Sequence, residues 1–174
     1  MKTVVVYNSQ TGFARRYAWW IAEGAQADCL PLSEAKKKDL SGYEAIVFGG
    51  WVCAGQISRI GWFKKNMPAW KGKKLIVYCT GGSPAENPAV QDFLDQCTRE
   101  LEAGHVQVFY CPGGFNYEKM PVPSRVMMKL LVKSLAKKKN RTEEEKYMAE
   151  MIASSYDITD RKYVKPILEA LTDQ

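Results

Sequence analysis

The sequence predicts an α/β protein built on five parallel strands, and three observations carry that expectation. Strand-like and helix-like segments alternate along the 174 residues. The strand candidates are continuous apolar runs, the pattern of strands covered on both faces. Three of them, at 43–50, 73–82 and 105–114, run into Gly-Gly. Crossovers between such strands are right-handed almost without exception.

Each element has its own local reason. Residues 2–7 form a β-branched apolar run, and 13–25 set Phe13, Tyr17, Trp20 and Ile21 at helical spacing. A short second strand is expected at 28–32 and a third at "YEAIVFGG", 43–50. Residues 58–67 read as a helix with Ile60, Phe63 and Met67 on one side, stopped by Pro68. "KKLIVYCTGG" (73–82) supplies the fourth strand. The helix expected at 87–102 has Pro88 in its first turn and Val90, Phe93, Leu94, Cys97 and Leu101 inward. "HVQVFYCPGG" (105–114) supplies the fifth strand.

The rhythm then breaks. Within one expected domain of 1–174, residues 115–158 read as an insertion before the last helix. It holds the irregular "FNYEKMPVPSR", the mixed helix "VMMKLLVKSLAKKK", and a helix capped by Thr142 with Glu143, Glu144 and Glu145 in its first turn. A closing helix is expected at 160–171 with Tyr163, Ile167, Leu168 and Leu171 inward.

Composition narrows the function. Five cysteines lie far apart without a C-x-x-C pair, which argues against a disulfide framework or zinc site and for a reducing cytoplasm. His105 is the single histidine, so a His-based triad or metal site has little material. No apolar run approaches the roughly 18 residues of a spanning helix, and the chain opens directly into a strand without a signal-peptide layout. The net charge of +6 is local: Lys119 to Arg141 holds six Lys, two Arg and no acid, or +8, leaving 6 − 8 = −2 elsewhere.

The loop after the first strand, Ser9-Gln10-Thr11-Gly12-Phe13-Ala14, is the main candidate site. A helix N-terminus has unpaired amides and partial positive charge, and a glycine turn lets them converge on an anion. Ser9 and Thr11 add hydroxyls. The competing reading is a plain cap, with Ser9 or Thr11 closing the helix. Ligands of open α/β sheets gather at the strands' carboxyl ends, where strands three, four and five carry glycines. There is no Gly-Lys-Ser/Thr for a P-loop, no G-x-G-x-x-G, and no aspartate ending the third strand as a phospho-receiver needs. A mononucleotide held by hydroxyls and backbone amides remains.

"VVVYNSQTGFA" resembles the first-strand signature and FMN phosphate loop of the flavodoxin family, with Ala14 where that loop usually closes on threonine. The resemblance implies a flavodoxin-like three-layer sandwich, strand order 2-1-3-4-5, and noncovalent FMN. It implies three binding segments: Ser9 to Ala14 on the phosphate; Trp51, Val52, Cys53, Ala54 and Gly55 on one side of the flavin ring; Thr80, Gly81, Gly82 and Ser83 on the other. An Ala54-Gly55 carbonyl would face flavin N5. Trp51 divides between ring stacking and edge packing, as do Phe115 and Tyr117. Trp19, Trp20, Trp62 and Trp70 are assigned to packing on the sheet, and Arg15 and Arg16 to solvent.

"GGWVCAGQIS", "PGGFNYEKMPVPSRVMMKLLVKSL" and "YDITDRKYVKPILEAL" further resemble the flavodoxin-type menaquinone-dependent protoporphyrinogen oxidases. That likeness implies an oxidoreductase or electron carrier exchanging electrons with a partner protein or a quinone, with protoporphyrinogen oxidation as the narrower alternative. A flavin-free interaction module on the same fold is the alternative of another class. No acid–base residue is assigned. The basic segment 125–141 has a plain reading, a helix packed on the sheet with a solvated face. It has two functional ones, contact with an anionic membrane at the inner face or with an acidic redox partner. No nucleic-acid motif accompanies it.

Overall fold

A computed structural model describes residues 1–101 and 105–173, residue 144 by its backbone alone. Its elements are β1 (Thr3–Tyr7), α1 (Phe13–Ala25), β2 (Asp28–Pro31), α2 (Leu32–Ala35), β3 (Ala45–Cys53), β4 (Gln56–Ile57), α3 (Ile60–Asn66), β5 (Lys74–Gly81), α4 (Pro88–Leu101), β6 (Gln107–Pro112) and β7 (Gly114–Phe115). Then follow α5 (Val122–Lys137), α6 (Glu143–Met151), β8 (Tyr156–Asp157) and α7 (Lys165–Thr172). Short 3-10 turns, Met67–Trp70 and Arg161–Val164, precede β5 and α7.

The parallel strands lie in the order β2-β1-β3-β5-β6, and β4 folds back antiparallel on β3. With that hairpin return set aside, this is the expected order 2-1-3-4-5. Strand alternation divides the core in two. Val4, Val6, Ile46, Phe48, Leu75 and Val77 face the layer of α2, α3 and α4. Val5, Ala45, Val47, Ile76 and Tyr78 face α1 and α7, where Tyr17, Ile21 and Ile167 are wholly buried. Each such side chain contributes roughly 1.5–3 kcal/mol by burial. Exposed ion pairs such as Arg161–Glu23 contribute about 0–1 kcal/mol, so the sandwich rests on its core.

Several boundaries differ from expectation. β3 does not end at Gly49-Gly50 but runs to Cys53, because its last residues pair with β4. The helix at 58–67 shortens to Ile60–Asn66, and Pro68 sits in the 3-10 turn after it. The closing α-helix starts at Lys165: Asp160 caps a 3-10 turn first, its carboxylate accepting from the Lys162 amide at 2.9 Å. The predicted end of α4 at 102 lies outside the described residues. Trp62 and Trp70 pack as expected, edge to face at 5.5 Å. Trp19 does not; it is 54% exposed, with the Arg15 guanidinium over its ring.

The 115–158 segment packs on itself. Thr142 and Glu145 form a reciprocal capping box on α6. α5 lies on α6 and has no buried residue, so the expectation of a helix packed on the sheet is corrected. β7 and β8 pair across the segment's two ends, and this ribbon reaches the carboxyl edge of the sheet.

Candidate functional site

The loop from β1 to α1 is shaped by Gly12. Its φ of +106° lies in the range that disfavours side chains, and it is the N-cap of α1. No side chain caps this helix, so the plain-cap reading of Ser9 or Thr11 does not hold. Instead the Ser9 hydroxyl accepts from the Gly12 amide itself, at 3.2 Å. The Arg16 amide reaches the Gly12 carbonyl at 3.0 Å. The amides of Phe13, Ala14 and Arg15 precede that first turn and point out of the helix end, an anion-binding arrangement.

Two further segments meet this loop. The Asn8 amide donates to the Gly49 carbonyl at 2.8 Å. The Asn8 side-chain amide and the Trp51 backbone amide both donate to the Ser58 hydroxyl, each at 3.1 Å. Ser58 therefore couples the first loop to the end of β3. Sequence reasoning placed it in a helix and missed it; a hydroxyl just past a glycine hairpin was the only local signal. Beyond β5, Tyr110 donates to the Ser83 carbonyl at 2.8 Å and Tyr156 to the Gly82 carbonyl at 2.6 Å. Burial pushes both phenols well above their usual range, so they stay donors at alkaline pH where an exposed phenol would ionise.

The glycines at this edge make room for the protein's own groups. A β-carbon at Gly49 would stand 1.8 Å from the Tyr78 ring, and one at Gly50 2.7 Å from the Ser58 carbonyl. One at Gly81 would stand 2.7 Å from the Tyr110 hydroxyl, and one at Gly82 2.3 Å from Phe115. Their clustering therefore has a packing cause, which the sequence reading had assigned to ligand approach.

A cleft of about 90 Å³ lies where these segments converge. Ser9, Gln10, Thr11, Phe13, Ala14, Trp51, Val52, Thr80, Gly81 and Gly82 line it, joined by Gly113, Gly114, Phe115 and Met120. Gly12 instead borders an adjoining hollow of about 360 Å³ with Arg15, Arg16 and Asp157. Cys53, Ala54, Gly55 and Ser83 do not line the cleft. Cys53 is exposed at the end of β3, and Ala54-Gly55 form the β3–β4 turn with φ of +48° and +73°, the twist that two-residue hairpins favour. Arg16 is not simply solvated; it donates to Asp157 at 2.5 Å and to Thr159 at 2.7 Å. A broader hollow of about 1560 Å³, beside His105 and the start of β5, lies at the opposite edge of the sheet, away from all these loops.

This sheet order, with its cleft at the carboxyl edge, defines a doubly wound nucleotide-binding α/β protein. The flavodoxin domain family matches residues 4–143, and the chain belongs to that family. Its fold is similar to that of a flavodoxin, WrbA-like protein from Agrobacterium tumefaciens (19% identity, 87% of this chain and 94% of that one, TM-score 0.51). It is also similar to a flavodoxin from the domain Archaea (15% identity, 99% and 100%, TM-score 0.50). No curated protein matches the chain by sequence. Family membership indicates a flavin cofactor, FMN.

The residues present fit that cofactor at its charged end. The uncapped α1 terminus, the Gly12 turn and the Ser9 and Thr11 hydroxyls provide donors without a fixed positive charge. A cleft of about 90 Å³ is roughly three water volumes, the scale of a phosphate group. Phe115 and Met120 complete the lining of the cleft and would help to hold the cofactor there.

Proposed function

We propose that the protein is an FMN-dependent oxidoreductase or electron carrier, and one observation carries this reading. The loops from β1, β3 and β5 converge on a single cleft in which the residues described carry no titratable side chain. The amides of Phe13 to Arg15 with the Ser9 and Thr11 hydroxyls would hold the phosphate. Trp51 and Val52 would flank the ring on one side and Thr80 to Gly82 on the other.

When bound, FMN supplies reversible transfer of one or two electrons. The chain's part is to bind, orient and shield from water. A cleft lined by amides, hydroxyls, glycines and aromatics offers no general acid or base, which suits electron exchange more than substrate chemistry needing a protein proton donor. The partner is a redox protein or a quinone. Five free thiols, Cys53 exposed among them, favour a reducing cytoplasm as the place of work. No described helix is long and apolar enough to cross a membrane.

The test is purification with added FMN, followed by absorbance, thermal shift and steady-state reduction of menadione, with and without protoporphyrinogen as donor. A yellow protein with a raised melting temperature supports the reading. Turnover of protoporphyrinogen would narrow it to that oxidation. A colourless protein with no thermal shift would assign the fold to an interaction module instead.

A further inference from the structure

The solvent face of α5 is unusual in composition. Val122, Val126 and Leu130 are 68%, 51% and 61% exposed. At about 100° per residue, Lys129, Lys133 and Lys137 fall among them, all six within an arc of roughly 100°. None of these three lysines pairs with an acid among the described residues. The partnered cation nearby is Lys138, held by Glu145 at 2.5 Å. Met127 and Leu131, 56% and 44% exposed, widen the apolar surface on one flank. Four of the six, Val126, Lys129, Leu130 and Lys133, also line a hollow of about 420 Å³ with Tyr117, Val132 and Ala153.

We propose that this face of α5 seats on an anionic lipid surface. Charge complementarity selects the occupant. Residues 119–141 carry +8 and no acid, so a second copy meeting this face about a two-fold axis would bring like charges together. A protein interface keeps lysine out of its apolar centre. Here lysines and apolar side chains share one stripe. That suits a surface with anionic charge in one plane and hydrocarbon just beneath it, where aliphatic side chains enter and lysine stems snorkel back to the phosphates. The hollow that the stripe lines lies in the size range of ligand pockets and has room for part of an acyl chain.

The placement has a consequence that rests on the FMN reading. Met120, just ahead of α5, lines the candidate flavin cleft, and the Gln10 side-chain amide donates to the Ser124 hydroxyl at 3.5 Å. A seated α5 holds the cleft at the bilayer surface, within reach of a lipid-borne redox partner. Lipid binding itself does not need the flavin.

The experiment is sedimentation of the full chain, without and with FMN, on vesicles of pure phosphatidylcholine or phosphatidylcholine enriched in phosphatidylglycerol. Binding to the anionic vesicles alone, weakened by salt, is expected. The triple change Lys129→Gln, Lys133→Gln, Lys137→Gln should lower the partition coefficient roughly a hundredfold, and Val126→Ser with Leu130→Ser about tenfold or more. All five positions are exposed or border the hollow, so circular-dichroism melts should be unchanged. Three results would overturn the proposal: equal or absent binding to both vesicle types, variants that bind as tightly as the parent, or a concentration-dependent dimer that the serine pair abolishes.

Discussion

The phenol of Tyr78 reaches across β3 to donate to the carbonyl of Ala14 at 2.8 Å, in the space that a β-carbon on Gly49 would fill. One side chain of β5 thus positions the helix that begins the candidate phosphate loop, and it does so from a wholly buried site. Burial also drives the Tyr78 hydroxyl far above its usual pKa, so it keeps its proton even at alkaline pH. Gly49→Ala should cost about 3 kcal/mol or more, because the obstructing group is a buried ring that cannot swing away. Tyr78→Phe should cost about 1–2 kcal/mol through the orphaned carbonyl. Urea denaturation of both variants measures the two effects; equal stability of Gly49→Ala and parent would show that the strands separate there.

Gly12 meets no atom within 4 Å of a notional β-carbon, so its constraint is conformational. Gly12→Ala should strain a backbone at φ +106° by about 1–2 kcal/mol and lower FMN affinity about tenfold. Ser9→Ala, which removes the acceptor for the Gly12 amide, should weaken binding by a similar factor. Quenching of flavin fluorescence reads both. Parental affinity in the two variants would place the phosphate elsewhere.

The ion pair between Arg16 and Asp157 ties α1 to β8 beside the cleft. Burial raises the Asp157 carboxyl, but hydrogen bonds from Thr159 and Arg16 outweigh it and hold the group below the usual aspartate range. A depressed carboxylate pKa stabilises the fold fully above the unfolded value of about 3.9, and that contribution disappears as pH falls through the lower folded value. Both side chains are 44% exposed, so solvent screens the effect. The melting-temperature gap between parent and Asp157→Asn should therefore be constant from neutrality to about pH 5 and close below about pH 4. A gap that persists unchanged into stronger acid would assign the loss to packing.

Thiol reactivity separates the cysteines. Cys53 is exposed, while Cys79, Cys97 and Cys111 are buried. Burial pushes the half-buried Cys29 thiol up to about 11. Ellman's reagent should find a single fast thiol in the native protein, lost in Cys53→Ser, and all five in urea. Cys53 lies two residues beyond Trp51, so FMN should slow the reaction if the β3–β4 hairpin contacts the ring. Several fast native thiols would mean that the strands or the α4 helix bearing them open readily.

Local chemistry by itself determined which segments are strands. The short apolar run at 75–79, bounded by Lys-Lys and Thr-Gly-Gly, reads as a strand buried on both faces, and Tyr17 and Ile21 at helical spacing read as an inward face. Ser9 to Gly12 was legible for the same reason: the requirement for a turn and exposed amides is met within a few adjacent residues. What the tertiary structure alone decided lies between distant residues. Ser58 joins Asn8 to Trp51, Phe115 and Met120 close the cleft from a segment far along the chain, and Trp19 keeps its ring in solvent. It also reassigned the edge glycines to Tyr78, Tyr110 and Phe115, and left α5 uncovered by the sheet. Periodicity reports which face of an element is apolar, but what covers that face depends on contacts across the chain, which no local pattern encodes.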